Sequence, residues 1–551
     1  MEIFATIIGA TAVLSLSLWG IGRLLRNDDL PACAVLRGWT VLMAVCAMAW
    51  FGRFPAVYLA PVLWLLIAAG LLSAVRHLPR ALLAGGLIGG AVIAASFALP
   101  FALQPGLLAY AHWGSDQWGY AAVSKWLVLH SVHELPVIDY KPGLDWVWKV
   151  LITRERPLIY LELAVVASAF GMKTIIACYV LSATALTGVF LSFFLGSTPL
   201  RITALPARWA VSLGVAVQPI MWLHFQHQFL GGVMAGAMGL ILVVAVCQSQ
   251  LRLPGDPIFL AAAALFAVLI GGLYTTLVSW VLLAMLAAIG SASWVLTKPT
   301  PSLAPRAWRT VAALLVLAGG AFWAMHVLSP AGARTPGGTG GASHLWAQCG
   351  ALFGLTEITP WYQRAGSLGA LGIDPGNYQP PGSALGVALF AVLGIFLAAQ
   401  CWLWWRQKRD ATPGVVMFVA VVAMAAAFPP RGDNVVLSRA LPVFGVMLLV
   451  ATAATAGLEQ PRWRRWLAIG LACFPLVRAA PGMWTLLARP ANTITAGQWQ
   501  APPNRDTWGA LAYTYFYQDE RDIDWTQAPD AFAEMTHYMP PDLRPKMRRE
   551  K

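Results

Sequence analysis

The sequence predicts an all-α fold, a polytopic bundle of transmembrane helices. Three observations predict it. Hydrophobic residues make up 58% of the 551 and charged residues only 11%, with a mean hydropathy of +0.66. Soluble domains carry about 25% charged residues. The apolar residues fall in runs of roughly 20, the length a helix needs to cross a bilayer. Ten-residue segments of alternating polarity are absent, which excludes an outer-membrane barrel.

About fourteen spans can be drawn on this length rule. They are 3–24, 32–51, 55–75, 81–103, 172–195, 207–224, 228–248, 257–273, 276–296, 308–328, 383–405, 413–429, 440–457 and 464–485. The first apolar stretch, Ile3 to Leu25, has no basic leader and no small-residue cleavage site, so it reads as a retained helix. The seven cysteines give neither a disulfide framework nor a Cys/His metal spacing. Six of them, all but Cys349, fall in or beside apolar runs, where cysteine acts as a small hydrophobe.

The net charge of +13 raises the question of nucleic acid. The basic residues sit instead in short loops between spans. Arg23 and Arg26, Arg76 and Arg80, Arg201 and Arg208, Arg252, Lys298 with Arg306 and Arg309, Arg406 with Lys408 and Arg409, and Arg462 with Arg464 and Arg465 mark every second loop. That is the positive-inside pattern, and these loops are expected in the cytoplasm. Both termini, loop 104–171, loop 329–382 and the tail 486–551 then lie outside.

Loop 104–171 is the most polar stretch between spans, and ionisable groups held at a membrane face are usually functional. It holds two helix-like segments. One runs from Asp116 to His130, with Ser115 as its N-cap. The other runs from Pro157 to Phe170, apolar and short, and is expected along the interface. Asp116 and Tyr120 are four apart, so on a helix they share a face. Trp113 and Trp118 flank them. This pattern fits a general base, or an acid holding a cation that neutralises phosphate. It also fits an N-cap acid among interfacial aromatics. Arg154, Glu155 and Arg156 form a second cluster before Pro157. Arginine's planar fork suits phosphate oxygens, and the same charges also suit lipid head groups.

Further polar groups fall on the outer side. His224 and His227 lie three apart in a short hairpin, a spacing open to a metal but lacking a third ligand. Tyr274 occupies another hairpin, and Arg431, Asp433 and Arg439 precede Ala440-Leu441-Pro442. Loop 329–382 opens on Pro336-Gly337-Gly338-Thr339-Gly340-Gly341 and has the composition of a mobile flap. The tail carries Tyr513-Thr514-Tyr515-Phe516-Tyr517 and a basic end.

These features together resemble the GT-C superfamily of polytopic membrane glycosyltransferases, such as the lipid A aminoarabinose transferases and protein O-mannosyltransferases. Asp116-x-x-x-Tyr120 is similar to the family's first-loop acid followed by tyrosine. Glu155-Arg156-Pro157-Leu158-Ile159-Tyr160 resembles the stretch that closes that loop. Gln218-Pro219 through Gln228 resembles the second outside hairpin, and Arg439-Ala440-Leu441-Pro442 the entry to a late helix. The likeness covers roughly residues 105 to 457. It departs in three ways. The catalytic loop follows the fourth span instead of the first, so 1–103 reads as extra N-terminal helices ahead of a transmembrane core at 172–485. The second hairpin offers histidines and glutamines where many members carry an acid. No WWDYG-like motif is present.

The resemblance implies a transferase in a bacterial inner membrane with its site facing the periplasm. The donor would be a polyprenyl-phosphate sugar and the acceptor a lipid, glycan or protein. Asp116 and Glu155 would be catalytic. Arg156, with Arg154, Arg431 or Arg439, would hold the donor phosphate. Tyr120, Trp113, Trp118, Tyr160, His224, His227 and Tyr274 would line the substrate site. A divalent cation is compatible, nucleic acid is not expected, and the sugar and acceptor are not readable. Two rivals remain: an O-antigen or polysaccharide polymerase or ligase, working through Arg334, His344 and Arg364 of loop 329–382, and a lipid-linked glycan transporter. A transporter calls for ionisable groups inside mid-membrane helices, where the predicted spans are nearly free of acids.

Overall fold

The computed structural model describes residues 2–26, 30–110, 116–135, 157–195 and 205–217, with single positions between 147 and 151, 230 and 245, and 484 and 499. The spans drawn from 257 to 457 lie outside the described residues, and of 464–485 only Trp484 is described. Helix α1 covers Glu2–Leu25, α2 Pro31–Gly52, α3 Ala60–His77 after a 3-10 turn at Ala56–Leu59, and α4 Arg80–Leu103. Strand β1 covers Leu107–Tyr110, and α5 covers Asp116–Leu129. Helix α6 is Pro157–Phe170, α7 is Thr174–Phe194 and α8 is Leu205–Ala216. Strands β2, Thr493–Thr495, and β3, Gln498–Trp499, follow near the end of the chain.

Five of these segments are long and apolar enough to cross a membrane: α1, α2, the 3-10 turn with α3, α4 and α7. The protein is membrane-embedded on this ground. Helix α1 packs against α2, α3, α4 and α7. All of α7, from Thr174 to Phe194, is buried. A helix apolar on every side belongs inside a bundle.

Lipid is as apolar as leucine, so such helices are held by close packing, and small residues permit it. A Cβ on Gly20 of α1 would fall on the carbonyl of Gly70 in α3, and one on Gly38 of α2 on the carbonyl of Leu18. The first glycine of each Gly-Gly pair in α4 does the same for an aromatic ring. A Cβ on Gly85 would lie 2.5 Å from the Phe194 ring, and one on Gly89 would strike Phe190.

Short connections make neighbouring helices antiparallel, which sorts the bundle's two ends. Arg23 closes α1, Arg76 and His77 close α3, Arg80 opens α4 and Arg208 lies in the first turn of α8. These basic residues share one end. Strand β1, α5 and α6 gather at the other. There α6 meets α2 near Cys46, within its last two turns, and α3 in its first turns, where Trp64 Nε1 donates to the Ala169 carbonyl at 2.7 Å. The turn after α5 reaches the same end, with the His133 ring 6.1 Å from that of Trp50.

Two features differ from the sequence expectation. A small antiparallel sheet, in the order β1-β2-β3, joins the first loop to the C-terminal tail in a fold expected to be all helix. The segment expected along the interface, α6, is enclosed by protein, with every residue from Leu158 to Ala167 buried. Its exit is a tight reversal. Gly171 takes φ +62°, a left-handed value glycine adopts without strain, and Met172 N–H donates to the Ala167 carbonyl at 3.0 Å.

Candidate functional site

The first-loop elements are fixed to the bundle by polar contacts at the end opposite the basic residues. Tyr110 of β1 donates its N–H to the Tyr179 hydroxyl at 3.1 Å, and that hydroxyl donates to the Tyr110 carbonyl at 2.5 Å. The Tyr110 hydroxyl donates to the Phe97 carbonyl of α4 at 2.9 Å, and the Tyr110 and Tyr179 rings stack at 4.9 Å. Thr174 Oγ1, opening α7, donates to the Ala121 carbonyl of α5 at 2.9 Å. Buried hydrogen bonds of this kind set a register that apolar contacts alone would leave loose.

Between these anchors α5 and α6 pack on each other. The Tyr120 and Tyr160 rings lie 5.4 Å apart at 36°, both almost fully buried. This joins the tyrosine of one sequence motif to the tyrosine of the other. Asp116 begins α5 one turn before Tyr120, and Trp118 lies in that same turn. Pro157 begins α6 one turn before Tyr160. Trp113, Arg154, Glu155, Arg156, His224, His227, Tyr274, Arg431 and Arg439 lie outside the described residues, as do Arg334, His344 and Arg364. Among the described residues, no group of three or more His, Cys, Asp or Glu is placed to hold a metal.

Helix α5 ends in its own polar turn. Glu134 accepts from the Ser131 N–H at 3.0 Å and pairs with His130 Nδ1 at 3.1 Å, and His130 stacks on Trp126 at 3.7 Å. The buried face of α5 runs through Tyr120, Ala121, Val123, Ser124 and Leu127, and Lys125 is exposed.

Sequence reasoning passed over Glu162. It sits in the second turn of α6, is fully buried, and has no hydrogen-bond partner for either oxygen among the described residues. Burial pushes its carboxyl up to about 8, because desolvation disfavours the charged form. The signal was present in the chain: one acid in an otherwise apolar helix.

Comparison with protein-family models, curated proteins and solved structures returned no match.

Proposed function

We propose that this protein is a membrane glycosyltransferase, moving a sugar from a polyprenyl-phosphate donor to an acceptor hydroxyl outside the cytoplasm. The observation that carries the reading is the Tyr120–Tyr160 contact. It lies one turn into the helix led by Asp116 and one turn into the helix that follows Arg154-Glu155-Arg156 in the chain. The reaction needs a carboxylate for the acceptor proton and guanidinium groups for the donor phosphate, and the two segments carry these residue types.

In the proposed reaction the donor enters from the outer leaflet. Arg156, assisted by Arg154, Arg431 or Arg439, neutralises the donor phosphate. Asp116 accepts the proton of the acceptor hydroxyl, whose oxygen attacks the anomeric carbon. The bond from that carbon to the phosphate oxygen breaks, the phosphate leaves with the bonding electrons, and the anomeric centre inverts. Glu155 orients the acceptor or holds Arg156. Placement and charge neutralisation supply most of the acceleration, since phosphate is already an adequate leaving group. The site faces the periplasm of a bacterial inner membrane in this reading.

Purified protein in lipid nanodiscs, given polyprenyl-phosphate sugars of several kinds and candidate acceptors, tests it. Release of polyprenyl phosphate is followed by mass spectrometry. The wild type turns over one donor class. Asp116→Asn loses about 10²- to 10⁴-fold, the usual worth of a positioned acid–base group. Turnover undiminished in Asp116→Asn removes that residue from the chemistry.

A further inference from the structure

The proposed reaction leaves Glu162 unused. It is the one charged side chain among the fully buried described residues. Its neighbours one turn away on the same face, Leu158, Ile159, Val165 and Val166, are buried too. Among the described residues, the groups on the elements around α6 offer it no cation. Helix α2 brings Cys46, within electrostatic reach. Arg37 of α2 is more than two turns from Cys46 and donates to the Cys33 carbonyl, and Arg53 beyond the helix end is exposed. Helix α5 brings Tyr120, packed on Tyr160, and the exposed Lys125, and the His130–Glu134 pair beyond its end is exposed. Helix α7 brings Cys178 and Tyr179, whose hydroxyl is on Tyr110, and Lys173 before it is exposed. The 3-10 turn brings Tyr58, exposed, and α3 carries Arg76 and His77 only in its last turn, at the opposite end.

A metal cation in such a place needs several oxygen, nitrogen or sulfur ligands, and the described residues supply no such group. A proton needs only the carboxyl oxygen. We propose that Glu162 is a proton-binding site, a carboxylic acid held neutral in the closed packing between α6 and α2, whose ionisation unseats α6 from α2 and α5. The physical reason is desolvation: an ionised carboxylate without a partner in an apolar interior is costly. It is relieved by admitting water or by moving the helix. Helix α6 carries Tyr160 against Tyr120, so movement of α6 reaches the first-loop helices. This inference stands whether or not the protein transfers sugars.

Two measurements on the full chain in nanodiscs test it. In the infrared, wild type minus Glu162→Gln shows the C=O stretch of a protonated carboxyl at neutral pH, fading only on the alkaline side. Glu162→Asp, which keeps the acid, shifts that band, so the assignment holds even where Glu162→Gln does not fold. Hydrogen exchange over 116–129 and 157–170, corrected for intrinsic pH dependence, speeds up several-fold on the alkaline side in wild type and stays flat in Glu162→Gln. A band lost in the ordinary carboxylate range overturns the protonated state. An alkaline acceleration equal in wild type and Glu162→Gln, or absent from wild type, overturns the link to helix seating.

Discussion

Single residues decide both how closely this bundle packs and how it responds to pH. Gly20 stands where a Cβ would meet the Gly70 carbonyl, whereas a Cβ on Gly9, in the same helix, would meet nothing within 4 Å. Backbone cannot yield as a flexible side chain can, so Gly20→Leu is expected to lower stability by at least ~1–3 kcal/mol, the range for overpacking. Gly9→Leu should stay near neutral. Thermal unfolding of both variants in one detergent checks the contrast, and equal losses would contradict it. Glu162 gives a pH dependence whose sign follows from its raised value. The folded state keeps a proton that the unfolded state releases above the ordinary value of 4.5. The group's contribution is intact below that value and falls as pH rises, until it levels off above about 8. At about 1.4 kcal/mol per pKa unit, the loss is a few kcal/mol. The thermal midpoint of wild type should therefore fall more steeply than that of Glu162→Gln across this window, and parallel curves would contradict the assignment.

At the scale of elements, the sheet makes a claim that the helices do not. Ala109 of β1 is in register with Ile494 of β2, so the first loop and the tail are clasped together. Directly opposed residues of an antiparallel pair come within disulfide range. Ala109→Cys with Ile494→Cys, in a cysteine-depleted protein, should cross-link under mild oxidation, while either single variant should not. Absence of the cross-link would break the pairing. Little of this sheet was legible beforehand. Leu107–Tyr110 is a four-residue strand whose partner lies at the far end of the chain, and so short a run carries no periodicity of its own. The five apolar segments were legible to within a few residues, because a run of about 20 apolar residues has one comfortable place to go. Helix α6 was legible as a helix. Its enclosure was not, because burial depends on what packs over it, and Glu162 acquires its character only from that enclosure. The Asp116–Tyr120 and Pro157–Tyr160 segments were each visible as motifs. Their contact is a tertiary fact.

At the largest scale, the described helices present two distinct ends. Arg23, Arg76, Arg80 and Arg208 mark one end, and β1, α5 and α6 gather at the other. Positive residues favour the cytoplasmic side. In a cysteine-depleted protein in intact cells, Lys125→Cys should react with a membrane-impermeant thiol reagent, and Arg80→Cys only after the membrane is permeabilised. The reverse pattern would invert the orientation and move the proposed site to the cytoplasm. In the proposed reaction the first-loop acid Asp116 serves sugar transfer. Complementation of a deletion strain with Asp116→Asn, with glycolipids and polyprenyl-phosphate sugars followed by mass spectrometry, tests this most directly. The variant protein should be present at wild-type level, with one glycosylated product missing and its lipid-linked donor accumulating. Full rescue of the deletion strain by Asp116→Asn, with no donor accumulating, would contradict it.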